Sequence, residues 1–223
     1  MRKTRLLPLE IIVHFSAWAP LAWLIWAAIT NNLTINPIQS ATQHTGQFAL
    51  ILLLTSLACT PANTLFGFRQ AIKVRRTIGL YAFMYASIHF SIFIGVDYQF
   101  AWNLILETIF EKRFTFVGAG ALIILTALAI TSFRWWKKHL RKNWKRLHQL
   151  VYLAGVLVIL HFAWARKGDI FRFSGDITAP LVAATFLAGL LILRIPPVRR
   201  SASNLRDRLR ARRSLHSRAS FDR

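Results

Sequence analysis

Two histidines in the middle of strongly apolar stretches are the residues of this sequence best suited to chemistry. His89 lies in YAFMYASIHFSIFIGV and His161 lies in VYLAGVLVILHFAWA. An imidazole inside an apolar, membrane-length segment costs free energy unless it is paired or used. Two neutral imidazoles on different helices can hold one haem iron from both axial sides. The alternative is that each histidine only forms a hydrogen bond with a helix carbonyl.

The elements that must position these histidines are membrane-spanning helices. The 223-residue chain is 55% hydrophobic, and its mean hydropathy is +0.41. Six apolar runs are each close to the roughly 20 residues that cross a bilayer core. The predicted spans are 11–29, 44–61, 77–95, 116–134, 148–165 and 179–195. The predicted fold class is therefore an all-α integral membrane protein, with a six-helix transmembrane domain at residues 1–195 and a basic tail at residues 196–223.

The distribution of charge predicts the orientation of these spans. Of the 29 Lys and Arg residues, 24 lie in the N-terminal segment, the connections after the second and fourth spans, and the tail. Because basic flanks stay on the cytoplasmic side, both termini are expected inside the cell. The net charge of +21 is then a topological signal, and no nucleic-acid partner is predicted. Membrane lipid is the expected partner of the tail, which is either a helix on the anionic inner leaflet or a disordered segment.

This orientation predicts that His89 and His161 lie at one depth. Spans 77–95 and 148–165 both run outward, so a rise of about 1.5 Å per residue puts both histidines roughly 18 to 20 Å from the inner face. Equal depth favours a shared haem over two isolated histidines.

A second haem nearer the inner face is an open alternative. His148 precedes His161 by 13 residues, so the two lie about 140° apart on an ideal helix, and a π-bulge near Gly155 would be needed to align them. Arg75 precedes His89 by 14 residues, where it would pair with haem propionates or lie beside the iron. The competing interpretation makes His148 an interfacial residue and Arg75 an orientation charge.

The remaining histidines and the small residues carry weaker signals. His14 and His44 are expected near span ends, where each would ligate a metal, bind a quinone head group or, as we favour, cap a helix. His139 and His216 are assigned no role. Gly118 and Gly120 are of a type that permits close helix packing, and no internal repeat is evident.

Motifs for other chemistries are absent from the sequence. Its single cysteine, Cys59, supports neither a disulfide framework nor an iron–sulfur site. There is no P-loop, nucleophile elbow or complete dinucleotide fingerprint. No catalytic residue is therefore predicted.

Four segments resemble a known family. They are QHTGQFAL at the start of the second span, Thr60–Pro61, RRTIGLYAFMYASIHF and KNWKRLHQLVYLAGVLVILHFAW. By these segments the chain is identified as a member of the MsrQ/YedZ family, the haem-binding membrane subunits of the bacterial periplasmic methionine-sulfoxide reductase system, within the ferric-reductase-like transmembrane superfamily. The wider superfamily has two histidines on each of its third and fifth helices, whereas this sequence has Arg75 at the inner position of the third.

The resemblance implies a six-helix b-type cytochrome of the bacterial inner membrane. It would take electrons from quinol and pass them to a soluble, molybdenum-containing reductase that repairs oxidised methionines in periplasmic proteins. The implied cofactors are one or two haem b groups and, by attribution to the family, FMN.

Two loops are the candidate contacts of the electron acceptor: Trp102 to Arg113, with Glu107 and Glu111, and Asp169 to Asp176. Only 28 residues follow the last span, fewer than a flavin and NADPH domain needs, so a quinol or a separate reductase is the expected donor. Two other functions stay open. One is a stand-alone reductase of chelated ferric iron, and the other is a haem-free transporter or scaffold, against which charged residues are scarce inside the spans.

Overall fold

The fold is helical throughout the residues that the structure, a computed structural model, describes, namely 8–166 and 177–219. The helices are α1 (Pro8–Ile29), α2 (Pro37–Phe66), α3 (Arg69–Ile92), α4 (Trp102–Glu111), α5 (Arg113–Ile130), α6 (Arg134–Ala165), α7 (Thr178–Ile192) and α8 (Pro196–Ala219). A π-helix at Phe93–Asp97 extends α3. The predicted all-α fold is confirmed.

The lengths and apolar character of these helices confirm a multi-pass membrane protein. Five of them, namely α1, α2, α3 with its π-helix, α5 and α6, are long and apolar enough to cross a bilayer. The 15-residue α7 bends by 80° into α8, and this bent pair is the candidate for the sixth predicted span. All six apolar runs of the sequence thus fall on helices of the bundle.

Local signals explain why α2 extends well beyond the predicted span 44–61. The side chain of Asn36 accepts a hydrogen bond from the backbone N–H of Gln39, and Pro37 occupies the first turn. At the other end Gly67 adopts a left-handed conformation (φ 71°), and its N–H bonds to the Asn63 carbonyl. A glycine adopts this conformation without the cost that a side chain imposes.

Two helical hairpins, α2 with α3 and α5 with α6, form the centre of the bundle. Leu53, Ala82, Leu125 and Ala154 come from these four helices and pack in one buried cluster. A second cluster, which includes Leu187, joins α7 to α2 and α6. The small size of Ala82 and Ala154, both fully buried, lets the helices approach closely.

The outer helix α1 packs on this centre along a narrow strip. Its buried residues are Ala17, Leu24 and Ala27, and the buried Tyr85 hydroxyl of α3 donates to the Ala17 carbonyl at 2.6 Å. Most of the remaining surface of α1 is left to face lipid.

Helix α6 differs from its prediction in two ways. It begins at Arg134, well before the predicted span, and changes direction at Arg141, whose φ of 45° and ψ of −116° are not helical. The π-bulge near Gly155 that would be needed to align His148 with His161 is not formed, because α6 is α-helical there. Gly155 instead packs against Leu57 and Leu187, where a bulge would disturb the core.

Helix α8 makes most of the basic tail helical, as one of the two alternatives for the tail expects. The Arg206 guanidinium donates to the carbonyls of Asn63 and Thr64, near the C-terminal end of α2. A cation is favourable at a helix C-terminus because the last carbonyls lack helical partners. The location of α8 on the inner leaflet stays a prediction.

Candidate functional site

The imidazoles of His89 on α3 and His161 on α6 face each other across the bundle centre. Their ring centroids are 5.9 Å apart, and the ring planes are nearly perpendicular at 87°. Nδ1 of His89 is 2.9 Å from the Thr42 carbonyl oxygen, and Nδ1 of His161 is 2.7 Å from that of Phe114. Because a carbonyl only accepts, each Nδ1 carries the hydrogen, and each Nε2 keeps a lone pair for a metal.

The spacing of the two rings suits one metal ion bound between them. Metal–imidazole bonds are about 2 Å long, so two such bonds through opposing Nε2 atoms would place the ring centroids about 6 Å apart. The observed 5.9 Å agrees with this separation. The equal depth predicted for the two histidines is therefore matched by direct proximity.

A cavity of about 600 Å³ contains both imidazoles. This volume falls within the roughly 300–1,000 Å³ of typical cofactor pockets. Four helices, α2, α3, α5 and α6, supply most of its walls, which include Leu50, Leu53, Leu125, Val158 and Phe162. Such walls suit the flat, apolar ring of a porphyrin.

Polar side chains line the end of the cavity that lies next to α4. Thr108, near the end of α4, lines the cavity and lies 3.0 Å from the Tyr98 hydroxyl. Lys112 and Arg166 also line it, and cationic side chains are suitable partners for the two propionates of a haem. The residues present therefore fit a haem: two neighbouring imidazoles, each with Nδ1 bonded to a carbonyl, apolar walls, and cations at one end.

Each histidine packs against a glycine of the neighbouring helix, His89 against Gly46 and His161 against Gly118. We call each of these glycine contacts the seat of its histidine. Gly46 precedes His89 by 43 residues, and Gly118 precedes His161 by the same number. A Cβ atom on Gly46 would lie 3.1 Å from Nδ1 of His89, and one on Gly118 would lie 2.6 Å from Nδ1 of His161. In both hairpins the absence of a side chain on the glycine lets an imidazole lie against the neighbouring helix.

The carbonyls that hold the imidazoles repeat as well. Thr42 and Phe114 each lie four residues before the glycine of their seat. Each histidine thus forms a hydrogen bond with the carbonyl one helical turn N-terminal to the glycine against which its ring packs. The two hairpins provide equivalent halves of one site.

The sequence contains a signal for this duplication that the initial interpretation missed. The segments GQFALILL from Gly46 and GAGALIIL from Gly118 share the pattern G-x-x-A-L-I-x-L, and His-Phe follows at the same distance in both halves. The statement that no internal repeat is evident is therefore wrong. Gly118 does allow a close approach, but by a histidine, whereas nothing lies within 4 Å of a Cβ built on Gly120.

Arg75 and His148, the other two predicted site residues, lie outside this cavity. Nη1 of Arg75 donates to the Thr60 hydroxyl at 3.3 Å. Nε2 of His148 is 3.2 Å from the Thr131 hydroxyl, and its ring stacks on Trp144 with centroids 4.1 Å apart. Arg75 and His148 lie within electrostatic range of each other, but the structure does not join them to the site of His89 and His161.

The favoured capping roles of His14 and His44 are wrong. Both residues lie inside helices, because α1 begins at Pro8 and α2 at Pro37. Nδ1 of His14 is 2.6 Å from the Tyr81 hydroxyl, while the His44 ring contacts Trp23 edge to face at 5.1 Å. Sequence reasoning placed them at span ends because it began both helices too late.

Comparison with known proteins places the chain in a family. Residues 40–159 match the model of the ferric reductase like transmembrane component. This range includes Gly46, His89 and Gly118 and ends two residues before His161. The chain is 37% identical over 198 residues to a protein of Xanthomonas axonopodis pv. citri (strain 306), covering 86% of this chain and 88% of the relative. That relative is named protein-methionine-sulfoxide reductase heme-binding subunit MsrQ. The chain belongs to the MsrQ family.

Other MsrQ proteins show the same extent of similarity. The MsrQ of Rhodospirillum rubrum is 38% identical over 196 residues, which are 87% of this chain and 91% of the relative. That of Xanthomonas campestris pv. campestris (strain 8004) is 39% identical over 189 residues. No solved structure matches the chain. The family resemblance read from the sequence is thus confirmed, and a multi-pass protein of the bacterial inner membrane is consistent with it.

Proposed function

We propose that this chain is a b-type cytochrome that carries electrons from membrane quinol to a periplasmic, molybdenum-containing methionine-sulfoxide reductase. The observation that carries the proposal is the facing pair His89 and His161, each held by a carbonyl, in one apolar cavity. Bound there, haem b would accept and release one electron at a time. The names of the MsrQ relatives, which are haem-binding subunits, support this choice of cofactor.

The protein's own residues would hold and tune the haem. The carbonyls of Thr42 and Phe114 fix the tautomer of each imidazole, and the hydrogen bonds that they accept increase the basicity of the ligand. The apolar walls exclude water and so favour the less charged state of the cofactor. Lys112 and Arg166 would hold the propionates.

The proposed direction of electron flow is outward. By the positive-inside rule we expect the α4 end of the cavity on the periplasmic side, where a soluble acceptor would dock. The predicted contact loop from Trp102 to Arg113 is mostly α4, and this helix carries Glu107 and Glu111 beside the cavity end. The second predicted contact loop, Asp169 to Asp176, falls within residues 167–176, which are outside the described residues.

A second haem and FMN belong to the proposal on weaker grounds. His148 and Arg75 remain the candidates for the inner haem because of their sequence spacing from His161 and His89. FMN is included on the family resemblance alone. Haem and flavin measured per protein test both: two haems in the wild type and one in His148→Ala would support the inner site, and no flavin released on denaturation would exclude FMN.

The function itself is tested by electron transfer through the purified protein. Anaerobic quinol should reduce the haem, and methionine sulfoxide should reoxidise it only when the periplasmic catalytic subunit is present. A preparation that reduces ferric chelates rapidly without that subunit would instead favour the stand-alone ferric reductase. A correctly folded but colourless protein would contradict the cytochrome proposal.

A further inference from the structure

A polar trio lies where α1 crosses α3, outside the cavity of His89 and His161. Nδ1 of His14 is 2.6 Å from the Tyr81 hydroxyl, and the indole N–H of Trp18 donates to the same oxygen at 3.0 Å. The Trp18 side chain is 52% exposed, and the other two are half-buried. Since α1 buries only a narrow strip of its surface, this trio is open to the lipid side of the bundle.

The hydrogen bonds of the trio leave one polar atom available. The Tyr81 oxygen accepts from Trp18, so its own hydrogen is the natural partner of Nδ1 of His14. Nε2 of His14 then carries the remaining ring hydrogen and has no hydrogen-bond partner within the described residues. A donor left without a partner in hydrocarbon is costly, and an ionisable side chain there usually marks a functional site.

We infer that His14, Tyr81 and Trp18 bind the head group of the quinol that donates electrons. This inference rests on the proposed function. A quinone ring is flat, apolar on its faces and polar only at its two oxygens, and it reaches the site from the lipid. The exposed Trp18 indole supplies a flat surface for the ring, while the Nε2–H of His14 donates to an oxygen of the quinone or quinol.

The location of the trio suits electron delivery to the haem site. Tyr81 and His89 lie on the same helix, eight residues apart, which corresponds to about 12 Å of rise. His14 lies six residues after the start of α1, about 9 Å along that helix. The site is therefore in the half of the membrane near the N-terminus of α1, with α3 leading from it towards His89.

The protons of the reaction also have a path along α1. Oxidation of a quinol to a quinone breaks two O–H bonds and releases two electrons and two protons. The haem accepts the electrons singly, and at the periplasmic subunit two electrons and two protons convert methionine sulfoxide to methionine and water. In the other tautomer of His14, Nδ1–H donates to the Tyr81 oxygen and the lone pair of Nε2 takes each quinol proton in turn. Glu10, one helical turn nearer the start of α1, is the next acceptor towards the membrane face.

The experiment compares haem reduction by quinol and by a chemical reductant in the purified holoprotein. Duroquinol is the probe, dithionite gives the total reducible haem, and anaerobic stopped-flow absorption follows the reduced haem band. His14→Gln removes the proton acceptor, and Tyr81→Phe removes the hydroxyl. The matched control is Tyr85→Phe, which removes the buried hydrogen bond to Ala17 one turn along α3 in the same helix pair.

We expect His14→Gln to slow reduction by duroquinol at least about tenfold, a threshold below the roughly 10²–10⁴-fold that a general base typically contributes. Tyr81→Phe should also slow it, while Tyr85→Phe should stay within about twofold of the wild type. Dithionite should reduce the same haem fraction in all four proteins. Wild-type rates in both His14→Gln and Tyr81→Phe would overturn the inference, as would equal slowing in Tyr85→Phe, because the trio would then act only in helix packing.

The wild type separates this inference from the function on which it rests. A wild type without haem would contradict the proposed function. A wild-type haem that dithionite reduces but duroquinol does not would leave the cytochrome intact and overturn the quinol site.

Discussion

Replacement of Gly118 by alanine should displace the His161 imidazole from its seat. The new Cβ would lie 2.6 Å from Nδ1, 2.9 Å from Cε1 and 3.2 Å from Cγ of that ring. To reach 3.4 Å, where ordinary contact begins, the ring must move by about 0.8 Å. A movement of this size, directed away from α5, would weaken the 2.7 Å hydrogen bond to the Phe114 carbonyl and change the 5.9 Å separation of the His161 and His89 rings.

The energetic cost follows from three terms. Overpacking costs about 1–3 kcal/mol, and loss of the hydrogen bond adds about 1 kcal/mol. Alanine returns about 1 kcal/mol through its better helix propensity. A net loss of about 1–3 kcal/mol borne by the haem-bound state would decrease haem affinity about fivefold to 150-fold.

The chain offers a graded series for this test. The Cβ of Gly46→Ala would be 3.1 Å from its histidine, so its effect should be smaller, and Gly120→Ala meets nothing within 4 Å. Haem affinity is measured as haem per protein during titration, together with the reduced-minus-oxidised spectrum. It should be equal to wild type in Gly120→Ala, lower in Gly46→Ala and lowest in Gly118→Ala. Wild-type affinity and spectrum in Gly118→Ala would refute the seat argument.

Two further predictions concern stability. Pro61 has no N–H, so the Leu57 carbonyl lacks its helical partner and instead accepts from the Arg194 guanidinium. Arg194→Met should therefore lower the free energy of unfolding by about 1–3 kcal/mol. Adding Pro61→Ala should restore part of this lost stability, because alanine supplies the missing N–H. Thermal unfolding of the single and double variants measures this, and an equal loss with and without Pro61 would contradict the explanation. Arg141→Gly should raise the melting temperature, because glycine relieves the cost of about 1–3 kcal/mol at φ 45°. Lys142→Gly, next to it in α6, should lower the melting temperature, and a decrease in both would show that Arg141 is not strained.

Hydropathy was enough to predict the helical membrane fold, because each span must be apolar over a fixed length. It could not predict the ends of the helices, which depend on caps such as Asn36 and Gly67 and on polar turns that extend beyond the apolar run. Hydropathy also missed helix α4, because a helix of ten residues is too short to give a membrane-span signal.

The histidine pair could be predicted because an imidazole in an apolar span is rare and costly. The carbonyls that hold the two imidazoles could not be predicted, because every residue has a backbone carbonyl and only the packing of the helices selects those of Thr42 and Phe114. The glycine seats were within reach of the sequence, since Gly46 and Gly118 stand at equal distances from the two histidines. Partnerships such as Arg194 with Leu57 join residues far apart in the chain and require the folded bundle.

The central claim is that His89 and His161 hold one haem between α3 and α6. The most direct test is the reduced-minus-oxidised absorption spectrum, with haem per protein, of the wild type, His89→Ala and His161→Ala, with the fold checked by circular dichroism. The account predicts a low-spin b-type spectrum in the wild type and loss of the same spectral component in both variants. An unchanged spectrum in either folded variant would contradict it.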